Sequence, residues 1–302
     1  GYARACTRLG AKLEPTAPAK AASLYRNACD HPHAPACTWL GRLTRVGRGV
    51  KKDGRQAIWL FKKACEMGDQ DGCVELADAY RLGVGVTKDT KRAKELFDKA
   101  CTERLARGCT GLARMHRDGG DLPKNPKRAD DLLERGCQLG HAVACERLAV
   151  FATKDPSRTP RVVQLFTKGC EGGMVNSCFQ LARIFRRGRG VDRNAVAAMK
   201  LFRDACKRRI FAACTELGEL YDAGSGAKPD AKQAAAFFRK GCEGGHSVGC
   251  VRLAEKYRLG RGVKRDAAKG VALLERACVS PASTASASGS APNRVGCRML
   301  AA

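Results

Sequence analysis

Apolar residues recur along the chain at helical spacing within a unit of 36 residues. Each unit carries a Leu, a Gly or Ala directly after it, and often an aromatic residue three positions further on, as in Leu76, Ala77 and Tyr80. Residues separated by three or four positions lie on one face of an α-helix. The spacing therefore predicts a first helix in each unit, with a small residue where a neighbouring helix approaches closely.

A second helix is predicted in the remaining half of each unit. The first helix is followed by a glycine turn such as Gly83 to Val86, and glycine is a common helix stop because it accepts positive φ. Asp89 then stands where a helix N-cap is expected, and Ala93 and Phe97 continue the apolar pattern. A hairpin of this kind cannot bury its apolar face alone. The pattern predicts an all-α solenoid of about eight 36-residue helix-hairpin repeats.

Seventeen cysteines follow the same period. Seven pairs have the spacing C-x7-C and succeed one another at steps of 36 residues, with one step of 33 between Cys137 and Cys170. Zinc sites favour C-x2–4-C knuckles or adjacent histidines, and the five histidines keep no constant offset from the cysteines. The pattern favours disulfides, which are typical of oxidising compartments. We therefore expect no metal and no other cofactor.

The combined motif A/G-C-x-x-L-G/A, then G-x-G-V-x-x-D, then A and L-F-x-K-A-C resembles the Sel1-like repeat family, relatives of the tetratricopeptide repeats. It is similar to the secreted, cysteine-rich Hcp-type branch, whose members are often labelled β-lactamase-like. The resemblance covers Cys6 to the C-terminus. It implies a right-handed α-solenoid with a disulfide between consecutive helices at each close pair of cysteines. The constant spacing of the close pairs agrees with this pairing. The implied pairs are Cys29/Cys37, Cys65/Cys73, Cys101/Cys109, Cys137/Cys145, Cys170/Cys178, Cys206/Cys214, Cys242/Cys250 and the more widely spaced Cys278/Cys297.

The expected organisation is a single Sel1-like solenoid over residues 1–302. Residues 1–36 form a truncated first repeat, in which the partner of Cys6 would lie upstream of Gly1, and residues 37–279 form seven repeats. The unit after Cys145 lacks the glycine turn and has the sequence from Lys154 to Pro160 in its place. Residues 280–296 form a flexible Ser/Ala-rich insert, and residues 297–302 begin a terminal helix.

The chain is strongly basic, with 56 Lys and Arg against 30 Asp and Glu, a difference of +26. Such a charge attracts anions of any kind, although a solvated basic surface explains it equally well. Arginines at the fifth and eighth positions after the second cysteine share a helix face and predict a ligand-binding stripe. Its members are Arg42, Arg45, Arg81, Arg114, Arg117, Arg183, Arg186 and Arg258. Glu219, Asp222 and Glu255 interrupt this stripe. A second set of basic residues lies in the turns between the two predicted helices of each unit.

No motif in the chain gives positive evidence for an enzyme. The one S-x-x-K sequence, Ser225 to Lys228, matches the start of a serine β-lactamase motif but lies in a turn between helices, without the companion S-D-N or K-T-G. His31, His33, His141 and His246 lie in the loops of the close cysteine pairs, where a structural role is the simpler interpretation. We therefore predict no catalytic residue.

These observations favour a secreted or periplasmic scaffold that binds proteins or peptides, with a preference for acidic segments, through a concave, basic surface. The resemblance adds an alternative, a protein that binds β-lactams or peptidoglycan fragments and has weak β-lactamase activity. A second alternative is binding of a polyanion such as an acidic glycan. Nucleic acid is disfavoured because aromatic stacking residues are few, with only Trp39 and Trp59 among tryptophans. No apolar run is long enough to span a bilayer, a signal segment is not part of this chain, and we expect a monomer.

Overall fold

A computed structural model describes residues 1–119, 122–153 and 159–279, and these residues form sixteen α-helices and no strand. The helices are α1 (Tyr2–Leu13), α2 (Pro18–Asp30), α3 (Ala34–Val46), α4 (Gly54–Glu66), α5 (Gln70–Leu82), α6 (Thr90–Thr102), α7 (Ala106–Asp118), α8 (Pro126–Gln138), α9 (Ala142–Ala152), α10 (Thr159–Glu171), α11 (Val175–Arg187), α12 (Ala195–Lys207), α13 (Phe211–Ala223), α14 (Ala231–Glu243), α15 (Ser247–Leu259) and α16 (Ala267–Val279).

The helices are arranged as a chain of hairpins. We call the odd-numbered helices A helices and the even-numbered helices B helices. Consecutive helices pack against each other from α1 to α8 and from α10 to α16, and α3, α5 and α7 also contact one another in order. The predicted all-α solenoid of helix hairpins is confirmed. The chain divides into two compact units, Gly1–Leu148 (unit 1) and Ala149–Ala302 (unit 2), and the boundary lies within α9.

The predicted small residue of the A helix packs on the predicted aromatic residue of the B helix. Phe61 is fully buried, and a Cβ added at Gly41 would overlap its ring. The same relation joins Gly218 on α13 to Phe238 on α14 in unit 2. Burial of one such side chain contributes roughly 2–3 kcal/mol, so the two residues together fix the distance between the helices of a hairpin.

The ends of the helices follow the sequence signals. A side-chain oxygen at each expected N-cap accepts a hydrogen bond from the backbone N–H three residues later, as Asp53 does from Gln56 at 2.9 Å. The same bond is made by Asp89, Asn125, Asn194, Asp230 and Asp266. The A helices of the same repeats end at a glycine in the left-handed region, such as Gly83 with φ of 69°.

Seven disulfides connect successive hairpins. Each joins the last turn of a B helix to the first turn of the next A helix, with Cα–Cα distances from 4.5 to 4.8 Å. The bonds are Cys29–Cys37, Cys65–Cys73, Cys101–Cys109, Cys137–Cys145, Cys170–Cys178, Cys206–Cys214 and Cys242–Cys250. Cys6 is a free, buried cysteine. Cys297, the predicted insert at 280–296, the terminal segment 297–302 and most of the segment from Lys154 to Pro160 lie outside the described residues.

Candidate binding face on the A helices

The eight arginines of the predicted stripe all lie on A helices, five in unit 1 and three in unit 2. Seven of them pair with carboxylates, most of which belong to a neighbouring A helix. Arg258 is exposed, and no described residue forms an ion pair with it. We call the side of unit 1 formed by α3, α5 and α7 the A-helix face. Its charges alternate, because the carboxylates of α5 lie between the arginines of α3 and those of α7.

Glu75 is the centre of the charge network in unit 1. Arg42 Nε lies 2.9 Å from its Oε1, and Arg45 Nη1 lies 2.7 Å from its Oε2. Arg107 on α7 donates to Oε1 from the opposite side at 2.7 Å. Burial alone would raise the pKa of Glu75, but the Arg107 hydrogen bond and the three guanidinium charges outweigh it and hold that pKa below its ordinary value. Glu75 is therefore a buried, ionised carboxylate that fixes α5 between its neighbours.

The sequence analysis did not identify Glu75, Asp71 or Arg107 as members of this network. Asp71 pairs with Arg42 and Arg107, and both Asp71 and Arg107 stand two residues before the second cysteine of a pair. Asp71 lies four positions before Glu75, a spacing that places two side chains on the same helix face. The opposite charges of Asp71 and Arg107 at this position in two consecutive repeats were the signal that could have identified these two residues.

Arg114 has hydrogen-bonding capacity that no described residue uses. Its Nη1 lies 3.6 Å from Oδ1 of Asp78, while Arg81 holds that same oxygen at 2.8 Å. The Nε of Arg114 is buried and has no acceptor among the described residues. Burial, together with the charge of Arg147, holds the pKa of Arg114 below its ordinary value. A buried donor without an acceptor is uncommon in folded proteins. The Arg114 side chain as a whole is 29% exposed, so the rest of its guanidinium can donate to a ligand.

Trp39 adds an apolar surface to the same face. It stands on α3, two residues after a bridged cysteine, at the repeat position that Glu75 holds on α5. Its ring stacks on Tyr25 with centroids 6.2 Å apart, and the Arg42 guanidinium lies 4.7 Å from its centroid. The indole is still 37% exposed. A half-exposed aromatic ring held by a stacked partner and a cation is a typical anchor for a bound side chain.

Unit 2 has a related cluster with a different charge balance. Arg186 Nη1 lies 2.6 Å from Oε2 of Glu216 and 2.8 Å from Oε2 of Glu219. Burial raises the pKa of Glu216, and the nearby charge of Glu219 adds to this, so the Arg186 charge does not compensate fully. Arg183, which is equivalent in the repeat to Arg114, also has a buried Nε without an acceptor among the described residues.

Two of the predicted histidines lie beside threonines, and the S-x-x-K motif lies in a turn. Thr110 Oγ1 lies 2.8 Å from Nδ1 of His141, and Thr215 Oγ1 lies 2.8 Å from Nδ1 of His246. Ser225 accepts a hydrogen bond from an arginine side chain in a turn. Within the described ranges, no group of three or more His, Cys, Asp or Glu residues is arranged to hold a metal ion.

The model of the Sel1 repeat matches residues 34–69, 70–103, 106–141, 175–209, 211–246 and 247–278. These six matches cover more than half of the chain. The chain belongs to the Sel1 repeat family. It matches no curated protein sequence.

Three solved structures are similar to this Sel1 repeat protein, and the first of them shares its fold. A Sel1 repeat protein from Oxalobacter formigenes is 21% identical, with a TM-score of 0.61 over 99% of this chain and 86% of that chain. A protective antigen from uropathogenic Escherichia coli is 24% identical, with a TM-score of 0.36 over 92% and 76% of the two chains. Helicobacter pylori cysteine rich protein B is 25% identical, with a TM-score of 0.34 over 41% and 89%.

The disulfides of this Sel1 repeat protein bear on its compartment. The seven formed among the described residues are typical of a protein that folds outside the reducing cytosol. Among the helices of the described segments, none combines the length and the apolar character that crossing a bilayer requires.

Proposed function

We propose that this Sel1 repeat protein is a secreted or periplasmic scaffold that binds a peptide or protein segment on the A-helix face of unit 1. The observation that carries the proposal is the partly exposed guanidinium of Arg114, whose ion pair with Asp78 is long and shared, on the same face that presents the half-exposed ring of Trp39. A ligand that supplies an oxygen to Arg114 and an apolar side chain to Trp39 would satisfy both features.

The chemistry of Arg114 selects a ligand rich in acceptors. A guanidinium binds a carboxylate through two parallel hydrogen bonds, and it binds a peptide carbonyl through one. Arg114 shares Asp78 with Arg81, so its own ion pair is long and its donors are available to a ligand. Acidic segments are therefore the favoured ligands, although the α5 carboxylates will repel long runs of acidic residues.

Selection of a displayed library of random peptides on the full chain tests this proposal. We expect enriched sequences that combine an aromatic or large aliphatic residue with Asp or Glu. Their affinity should fall about ten- to a hundredfold in Arg114→Gln, because one charge-assisted hydrogen bond contributes about 1.5–3 kcal/mol. Arg135→Gln is the matched control, since Arg135 is an exposed arginine on the B helix α8. Failure to enrich any sequence, or equal losses in the two variants, would contradict the proposal.

The same preparation distinguishes the other hypotheses. Membership of the Hcp-type branch and binding of β-lactams would be supported by turnover of a chromogenic β-lactam that resists added salt. Ser225, the one residue suggested for that chemistry, lies in a turn and accepts a hydrogen bond from Arg193 at 2.9 Å. Binding of a polyanion would weaken steeply as salt is added.

A further inference from the structure

The connections between the A and B helices of unit 1 form a surface distinct from the A-helix face. We call residues 46–55 and 82–92 the turn edge; they comprise the α3–α4 and α5–α6 connections with the adjoining helix ends. Gly85 has φ of 73°, and a Cβ there would overlap the backbone of Gly54 at the start of α4. The two connections therefore lie against each other and present one continuous edge.

The turn edge has a large excess of cations. Seven exposed basic side chains belong to it, namely Arg48, Lys51, Lys52, Arg55, Lys88, Lys91 and Arg92. Its two carboxylates, Asp53 and Asp89, accept hydrogen bonds as N-caps of α4 and α6. No described residue forms an ion pair with Lys51, Lys52 or Lys91. Whereas the arginines of the A-helix face are paired with carboxylates, much of the charge on the turn edge has no internal partner.

Exposed aliphatic side chains lie among these cations. Val46 is 61% exposed, Leu82 is 58% exposed and Val84 is 46% exposed. Val46 and Leu82 are the last residues of α3 and α5, at the same position in consecutive repeats. A dissolved polyanion would leave these three aliphatic groups in water. A surface that contacts a lipid bilayer gains from burying them beneath the headgroups.

We propose that the turn edge of unit 1 docks on an anionic phospholipid surface. The lysines and arginines would lie at the level of the headgroup phosphates, while Val46, Leu82 and Val84 would enter the boundary between headgroups and acyl chains. Each basic residue near an anionic bilayer adds a substantial attraction, and a few exposed aliphatic groups convert that attraction into shallow insertion. Attachment of this kind requires no spanning helix and holds the protein at the bilayer surface by its turns.

Co-sedimentation of the full chain with vesicles tests the proposal. The vesicles contain phosphatidylcholine alone, or equal parts of phosphatidylcholine and phosphatidylserine, and immobilised heparin serves as an acidic polymer without lipid. We expect binding to the anionic vesicles and none to phosphatidylcholine alone. The triple variant Lys51→Gln, Lys52→Gln, Lys91→Gln should lower the vesicle partition coefficient by at least about tenfold.

The loss of charge and the loss of apolar surface are each compared with a control variant. Lys62→Gln, Lys99→Gln, Lys168→Gln removes three exposed lysines of the B helices α4, α6 and α10, none of which belongs to the turn edge, and should have little effect. Val46→Gln with Leu82→Gln should weaken vesicle binding about tenfold while leaving heparin binding unchanged. Val271→Gln, on the exposed side of α16, serves as its control.

Three results would overturn the proposal. The first is absence of binding to the anionic vesicles. The second is an equal loss in the two lysine variants, because it would show that net charge alone is responsible. The third is vesicle binding that is unaffected by Val46→Gln with Leu82→Gln, because it would show that the edge binds any acidic polymer and inserts nothing.

Discussion

Glu75 and Glu216 lie at the same position of their repeats, two residues after a bridged cysteine, but only Glu75 contacts arginines from the A helices on both sides. Arg42 and Arg45 approach Glu75 from α3, and Arg107 approaches it from α7. The described arginines around Glu216 all come from α11. The pKa of Glu75 is accordingly lowered, by hydrogen bonding and charge against the effect of burial, while burial raises the pKa of Glu216.

We predict that Glu75→Gln lowers the free energy of unfolding by about 2 kcal/mol, because it leaves the arginines around it without a compensating charge. Glu216→Gln should cost little or be slightly stabilising, since the ionised form of Glu216 is disfavoured in the fold. The lowered pKa means that the contribution of Glu75 is present at neutral pH and is lost as the pH falls through its folded-state pKa. Urea unfolding of both variants at neutral pH checks the difference, and equal losses would be inconsistent with it.

The sequence was sufficient to predict the fold and the position of the helix ends. The period and the N-cap at Asp89 are local features, and the structure confirms them. The charge network was only partly predictable. The stripe of arginines was identified from helical offsets, but Asp71 and Arg107 lie on the other side of the cysteine and were missed. Their contacts depend on how adjacent A helices are rotated, which a pattern within one repeat does not specify.

The buried histidines predict a loss of stability in mild acid. Burial lowers the pKa of His141 and of His246, and burial is the first cause in both. The unfolded chain, with ordinary histidine pKa values near 6.5, therefore takes up protons before the folded chain does, and stability falls as the pH drops below about 6.5. Urea unfolding at several pH values should show this slope.

Replacing both buried histidines should reduce that dependence on pH. His141→Asn with His246→Asn retains a polar partner for Thr110 and Thr215 but removes the two titrating rings. His31→Asn is the control, because His31 is exposed. A slope that is unchanged in the double variant would refute this explanation.

The close approach of consecutive turns predicts a difference between two glycines. Gly68 and Gly85 both have positive φ, but a Cβ at Gly68 has nothing within 4 Å, whereas one at Gly85 would overlap the backbone of Gly54. Gly68→Ala should cost about 1 kcal/mol from backbone strain alone. Gly85→Ala should cost roughly 1–2 kcal/mol more, because the two connections must separate. Thermal unfolding of the two variants would contradict the stacked turns if their midpoints fell equally.

The disulfides predict a modest gain in stability from each bond. Cys65 and Cys73 are eight residues apart, and the entropy of closing so short a loop is worth about 2–3 kcal/mol. Cys65→Ala with Cys73→Ala should lower the free energy of unfolding by about that amount and leave the helical content of the folded state unchanged. Circular dichroism during denaturant unfolding measures both quantities, and a variant with no helical signal would contradict a local effect.

Fluorescence of Trp39 tests the central proposal, binding on the A-helix face, most directly. The chain has two tryptophans, and Trp59 lies on the B helix α4, so the variant Trp59→Phe reports on Trp39 alone. This variant is titrated with the peptide enriched by selection, and Trp59→Phe with Arg114→Gln is titrated beside it. We predict that the peptide shifts the emission of Trp39 and protects it from acrylamide, and that Trp59→Phe with Arg114→Gln needs more peptide for the same change. If the peptide binds with equal affinity but Trp39 stays accessible to acrylamide, the ligand lies elsewhere and the A-helix face is not the binding site.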